Sequence, residues 1–116
     1  MAFQWGDYLQ LASRLAGAPD EASRRSAISR AYYAVYNLAV GQANSHGVTI
    51  VRVQGFGPHE ACWNAYMCVP AVTRIGVAGD RLKVRRRKAD YELVALNWAK
   101  EAASAIAEAQ GLIAAL

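Results

Sequence analysis

The stretch RSAISRAYYAVYNLA, Arg25 to Ala39, decides the fold. Ala27, Ala31, Ala34, Val35, Leu38 and Ala39 recur in it at three- and four-residue steps, the spacing that puts side chains on one face of an α-helix. Upstream, Asp20 follows the turn-forming "GAPD" and is a good N-cap. Downstream, Asn44 and Gly47 signal an end, so the spacing predicts one long helix from Glu21 to about Asn44.

Working outward, "WGDYLQLASRLAG" places Trp5, Tyr8, Leu11, Ala12 and Leu15 on a helical stripe closed by Gly17 and Pro19. "GVTIVRVQGFGP", from Gly47 to Pro58, is β-branched and bounded by glycines, and reads as an extended excursion holding a short strand at Val48 to Val53. "PHEACWNAYM" starts a third helix, with Pro58 in its first turn, Trp63, Tyr66 and Met67 for burial, and Pro70 ending it. A fourth helix begins near Ala71. At about 100° per residue Ile75, Ala78, Leu82, Ala89, Leu93 and Leu96 share one side of it, with Gly76 and Gly79 as points of interruption. "LVALNWAKEAASAIAEAQGLIAAL" continues or restarts as a long final helix. The expectation is an all-α antiparallel bundle of four to five helices, forming a single domain over residues 1–116.

Composition narrows the function classes. A hydrophobic fraction of 54% with 19% charged residues is that of a globular chain, not a disordered one. No apolar run approaches the roughly 18 residues of a membrane span, so no membrane partner is expected. Cys62 and Cys68 form no CxxC pair, and "MAFQWGDYLQ" has no signal-like character, so a reduced, cytoplasmic protein is the simplest expectation. With His46 and His59 as the only histidines, neither a metal site nor a cofactor is expected. No Ser-His-Asp set, glycine-rich phosphate loop or paired-carboxylate signature is present.

The net charge of +4 is local in origin: Arg81, Lys83, Arg85, Arg86, Arg87 and Lys88 are six of the thirteen basic residues. Such a patch suits phosphate contacts and equally suits a solvated helix face. Helical phase divides it. Arg86 falls within about 40° of the centre of the stripe through Leu82 and Leu93, whereas Arg87 points away. Asp90 shares the face of Arg86 and Asn97 extends the polar line, so Arg86 and Asp90 are either a structural lock or part of a site. On the second helix Ser29, Tyr32, Tyr33 and Tyr36 cluster, and Ser26, Arg30, Tyr33 and Asn37 form an overlapping polar line. These tyrosines either satisfy their hydroxyls within the core or line a groove in which Arg30 and Tyr33 face Arg86. His59, beside Pro58 at a helix start, is either a hydrogen-bonded surface residue or a catalyst.

Together "RSAISRAYYAVYNLA", "GPHEACWNAY" and "LKVRRRKADYEL" resemble, in order and spacing, the small bacterial and archaeal HEPN domains, over about Trp5 to Ala109. The resemblance implies an all-α bundle, commonly a homodimer with the polar motif of the fourth helix facing its mate across a cleft. Many such proteins act as metal-independent endoribonucleases, often as toxins of toxin–antitoxin or defence modules, and many are encoded beside a nucleotidyltransferase, which is the expected antitoxin partner. In the nuclease members an Arg-x(4–6)-His motif carries catalysis. Arg86 matches the arginine, and the positions for the histidine hold Tyr91, Glu92 and Leu93. A histidine titrating near about 6.5 serves as acid or base at neutral pH, whereas tyrosine titrates near about 10.

The expected site is therefore a cleft for RNA or a nucleotide. Arg86, Tyr91 and His59 take the catalytic positions, and Ser29, Arg30, Tyr33, Asp90, Arg85, Arg87 and Lys88 take the binding ones. The alternative is a non-catalytic interaction module that engages a nucleotidyltransferase or another protein.

Overall fold

A computed structural model describes residues 2–52 and 54–116. Its described residues form five α-helices and no strand: α1 (Gly6–Ala16), α2 (Glu21–Gln42), α3 (Pro58–Met67), α4 (Thr73–Tyr91) and α5 (Trp98–Ala115). The all-α class expected from the helical spacings is what the chain adopts. No helix is long and apolar enough to cross a membrane among the described residues.

The central helix is α2, which packs against α1, α4 and α5, while α3 packs on α4. It starts where the sequence puts it, because the Asp20 carboxylate accepts from the Ser23 backbone N–H at 2.9 Å. Together with the Ser23 hydroxyl, which donates to the same oxygen, this bond holds the Asp20 carboxyl below its usual range. The helix ends at Gln42, slightly before the expected Asn44. A 3-10 turn over Asn44–His46 follows, and Gly47 reverses the chain at φ 71°, a conformation open to glycine at little cost. Ala27, Ala31, Ala34, Val35 and Ala39 are buried as the spacing requires; Leu38 is half-buried. The strand expected at Val48 to Val53 is absent over Val48–Arg52, and Val53 lies outside the described residues. Val48 alone in that segment is fully buried, so it pins the excursion to the core.

Helix α3 spans the expected stretch and buries Trp63 and Tyr66 completely. Gly76 and Gly79 do not interrupt α4, contrary to expectation. They form a notch in it: a Cβ at Gly76 would sit 2.7 Å from the Trp63 carbonyl oxygen, and one at Gly79 would overlap the indole ring of Trp63. Close approach is thus the use of these glycines, and the helix tolerates their entropic cost.

The expected stripe of α4 also ran on through Leu93 and Leu96, and there the structure differs. The helix stops at Tyr91, Glu92 is extended, and Leu93 is fully exposed with Leu96 at 40% exposure. The cause lies in α2. Arg25 reaches across to donate to the carbonyls of Ala89 at 3.1 Å, Glu92 at 2.7 Å and Val94 at 3.4 Å, while its guanidinium lies 4.1 Å over the Trp98 ring. A charged fork that satisfies the terminal carbonyls of a helix ends that helix without a glycine. Asn97 does not extend the polar line of α4; its side chain accepts from the Lys100 N–H and caps α5.

Candidate anion-binding site between the second, third and fourth helices

Arg86 follows from the phase of α4. Its face looks towards α2, and it is only 6% exposed. Its guanidinium carbon lies over three tyrosine rings, Tyr32 at 5.3 Å, Tyr33 at 5.5 Å and Tyr91 at 6.0 Å. Such aromatic faces each offset about 0.5–2 kcal/mol of a buried cation's cost. Hydrogen bonding does not complete the task. Nε is buried without a partner, and the nearest carboxylate oxygen, Asp90 Oδ2, stands 3.6 Å from Nη1. Asp90 is held in turn by the Ser29 hydroxyl at 3.2 Å. A buried guanidinium with donors left over has capacity for an anion.

One turn earlier on α4, Lys83 is also buried, at 8% exposure, with its ammonium 3.0 Å from Asp80. Sequence reasoning counted Lys83 among the basic residues but not in the site. Its spacing of three from Arg86 is the signal that places the two side by side.

From α3, His59 packs against the same tyrosines. Its Nδ1 is 2.7 Å from the Tyr32 hydroxyl, its ring is 4.2 Å from that of Tyr36, and it contacts Tyr33 edge-on at 5.9 Å. Arg86 and His59 thus share Tyr32 and Tyr33 as neighbours. Burial first, then the positive charges of Arg86 and Lys83, hold the His59 imidazole below its ordinary range. At neutral pH it is uncharged. The Tyr32 hydroxyl is fully buried, accepts from Trp63 Nε1 at 3.0 Å, and is pushed well above the usual tyrosine range, chiefly by burial. Tyr36 is also pushed up by burial, with Arg52 of the long excursion opposing the shift. Tyr32 stood out in the sequence within the tyrosine cluster of α2 but not among the expected site residues, and Arg52 did not stand out, because each is joined to His59 or Tyr36 only by the fold.

The expected set divides. The fold brings together Arg86, Asp90, Ser29, Tyr33, His59 and Tyr91. Tyr91 is 76% exposed and borders, with Val84, Arg87, Lys88 and Glu92, a surface depression of about 380 Å³. Two residues go elsewhere. Arg30 does not face Arg86: its guanidinium lies 5.0 Å over the Tyr8 ring, towards α1. Arg85 is not a free rim cation: its Nη1 bonds Glu101 at 2.8 Å and its Nε lies 2.8 Å from Glu108, off the hydrogen-bond axis, so it ties α4 to α5. Both departures come from partners on the neighbouring helices α1 and α5.

The chemistry available is that of anion capture. Two buried cations, an uncharged imidazole and a wall of tyrosine rings suit a phosphoryl group with an aromatic base beside it. Comparison with protein-family models, with curated proteins and with solved structures finds no match to this chain.

Proposed function

We propose that this chain is a HEPN-like domain that binds the phosphate groups of RNA or of a nucleotide in the cleft at Arg86. The observation that carries the reading is the near-complete burial of a guanidinium whose Nε has no partner and whose ion pair is too long for a hydrogen bond. A plain core would place leucine there. Tyr33 and Tyr91 supply faces for a base, while Arg87 and Lys88, both exposed, steer the rest of a polyanion towards the mouth.

As an endoribonuclease toxin of a toxin–antitoxin or defence module, the protein would cleave without metal. Arg86 would neutralise the pentacovalent phosphorane, and the groups within reach for handling its protons are His59 and Tyr91. A homodimer would bring a second copy of this cleft against the first. The exposed Val84, Tyr91 and Leu93 beside the mouth are apolar surface of the kind such a contact covers.

The reading is tested with labelled single-stranded RNA in the presence of a chelator, comparing wild type with Arg86→Ala. Binding, and any cleavage, should fall at least tenfold in the variant. A folded Arg86→Ala protein with unchanged RNA affinity overturns it. Sedimentation tests the dimer, which a monomer at high concentration excludes.

A second reading is favoured by Tyr91 itself, which stands where the nuclease motif has histidine, and by the exposed run Tyr91, Leu93 and Leu96. In it the same face engages a protein such as a nucleotidyltransferase antitoxin, and the domain is not catalytic. Loss of partner binding in Leu93→Asp, with RNA affinity intact, distinguishes the two.

A further inference from the structure

We propose that His59 serves as a neutral Nε2–H donor to the phosphate held at Arg86, its tautomer set by the chain of hydrogen bonds from Trp63 through Tyr32. The inference rests on the phosphate-binding reading and deepens it by giving His59 one role out of the two that an imidazole offers.

The direction of the chain follows from what each atom can do. An indole N–H only donates, so Tyr32 Oη is the acceptor of the 3.0 Å bond from Trp63. The phenol then has one proton to place. Tyr32 is fully buried, and the other partner of its oxygen among the described residues is His59 Nδ1, at 2.7 Å. If His59 carried its proton on Nδ1, Tyr32 Oη would face two donors and its own proton would be left in the core without an acceptor, at substantial cost. The bond is therefore Tyr32 O–H to Nδ1, and the imidazole proton sits on Nε2.

The surroundings agree. Around His59 stand Arg86 and Lys83 from α4 and Tyr32, Tyr33 and Tyr36 from α2, and the buried Cys62 thiol on α3 acts on the same Tyr32 and Tyr36. Glu60 follows His59 in the chain. Cys62 brings no negative charge, since burial pushes its thiol up to about 12. Two cations disfavour an imidazolium, while a neutral N–H beside them complements an anion. Nε2 has no partner among the described residues. In this tautomer Nε2 has no lone pair to accept a proton, so His59 holds the phosphate and does not act as a base through that atom. A proton abstraction at Arg86 would fall to another group.

The test uses the full chain labelled with ¹⁵N. Long-range proton–nitrogen correlation at about pH 7.5, above the ordinary histidine range, should show His59 protonated at Nε2, and Tyr32→Phe should release that preference. Inorganic phosphate is then titrated. His59→Gln, whose amide nitrogen can donate from near the Nε2 position, should keep affinity within about threefold, and His59→Ala should lose about tenfold or more. An Nδ1–H tautomer in wild type, or unchanged phosphate affinity in a folded His59→Ala, overturns the proposal while leaving phosphate binding at Arg86 standing. Absence of phosphate binding by wild type, or its persistence in Arg86→Ala, overturns instead the reading on which the proposal rests; the tautomer is measured without ligand and separates the two failures.

Discussion

Arg86 and Asp90 stand one helical turn apart on α4, yet their closest approach is 3.6 Å. Burial makes that distance informative. A structural lock between buried charges needs hydrogen bonds to offset desolvation, and removing one partner of such a lock costs about 3–5 kcal/mol. Here Asp90 keeps 26% side-chain exposure and is bonded by Ser29 instead. Asp90→Ala should therefore cost no more than about 1 kcal/mol in urea unfolding. Arg86→Met, which fills the volume and removes the charge, should be neutral or up to about 2 kcal/mol more stable than wild type, while losing anion binding. A loss of several kcal/mol in both variants would make the pair a lock.

Trp63 and Gly79 give a prediction whose sign runs against helix propensity. In an open helix position Gly→Ala stabilises by about 0.5–1 kcal/mol. Gly111 on α5 is such a position, with no atom of a neighbouring element within 4 Å of where its Cβ would sit, and Gly111→Ala should show that gain. At Gly79 the added methyl would overlap the Trp63 indole, a fully buried ring that cannot shift without opening α3 from α4. Gly79→Ala should lose about 3 kcal/mol or more, measured by urea or thermal unfolding. Equal effects at the two glycines would contradict the notch.

What the sequence disclosed and what it hid separate along the same line. Asp20, Pro58 and Gly47 act on their own neighbours, so the start of α2, the start of α3 and the turn after α2 were readable to within a residue or two. The phase of α4 was readable as well: Arg86 is buried and Arg87 exposed. The end of α4 was not. Leu93 and Leu96 fit the stripe, no breaker precedes them, and the group that stops the helix is Arg25, more than sixty positions away along the chain. His59 was visible only as a lone histidine because its partner Tyr32 lies on another helix. Arg30 and Arg85 looked like members of the site for the same reason, since Tyr8 and the glutamates that claim them are far off in sequence.

Arg25 should thus be a stability residue of the second helix with its effect read at the fourth. It donates to three carbonyls, lies over Trp98 and keeps only 17% side-chain exposure. Hydrogen bonds from a charged group contribute about 1.5–3 kcal/mol, and Arg25→Ala should cost at least about 2 kcal/mol on that scale. Arg25→Lys keeps the charge but not the planar fork, and should recover less than half of the loss. Hydrogen exchange supplies the local readout: amides of 88–97 should lose protection in both variants before those of α2 do. Unchanged protection there would remove Arg25 as the cause of the helix end.

The pH dependence follows from His59. The folded chain holds its imidazole below the ordinary value, chiefly through burial. Above about pH 6.5 both folded and unfolded chains keep it neutral and stability is complete. As pH falls below that value the unfolded chain binds a proton that the folded chain refuses, so stability declines. The decline levels off once pH passes the lower folded value and the native imidazole is protonated too. Asp20 acts in a separate window: its carboxyl is lowered from 3.8, so its contribution is lost only in strong acid. Unfolding curves between about pH 7 and 5 should therefore show a falling stability that His59→Gln reduces. A slope unaffected by that substitution would place the titrating group elsewhere.

The basic run gives the last prediction, because the fold assigns its members to different tasks. Arg81, Arg87 and Lys88 are exposed, whereas Arg85 is engaged by Glu101 and Glu108. Only free cations release counterions from a polyanion on binding. Neutralising Arg81, Arg87 or Lys88 singly should reduce the salt slope of RNA binding by about 1 each and leave stability within about 0.5 kcal/mol. Arg85→Ala should do the reverse. It should cost about 1–2 kcal/mol by separating α4 from α5 and leaving two half-buried glutamates unpaired, with the salt slope unchanged. Identical slopes for wild type and all three rim variants would mean that the patch does not meet phosphate, and an Arg85 variant of wild-type stability would dissolve the tie between the helices.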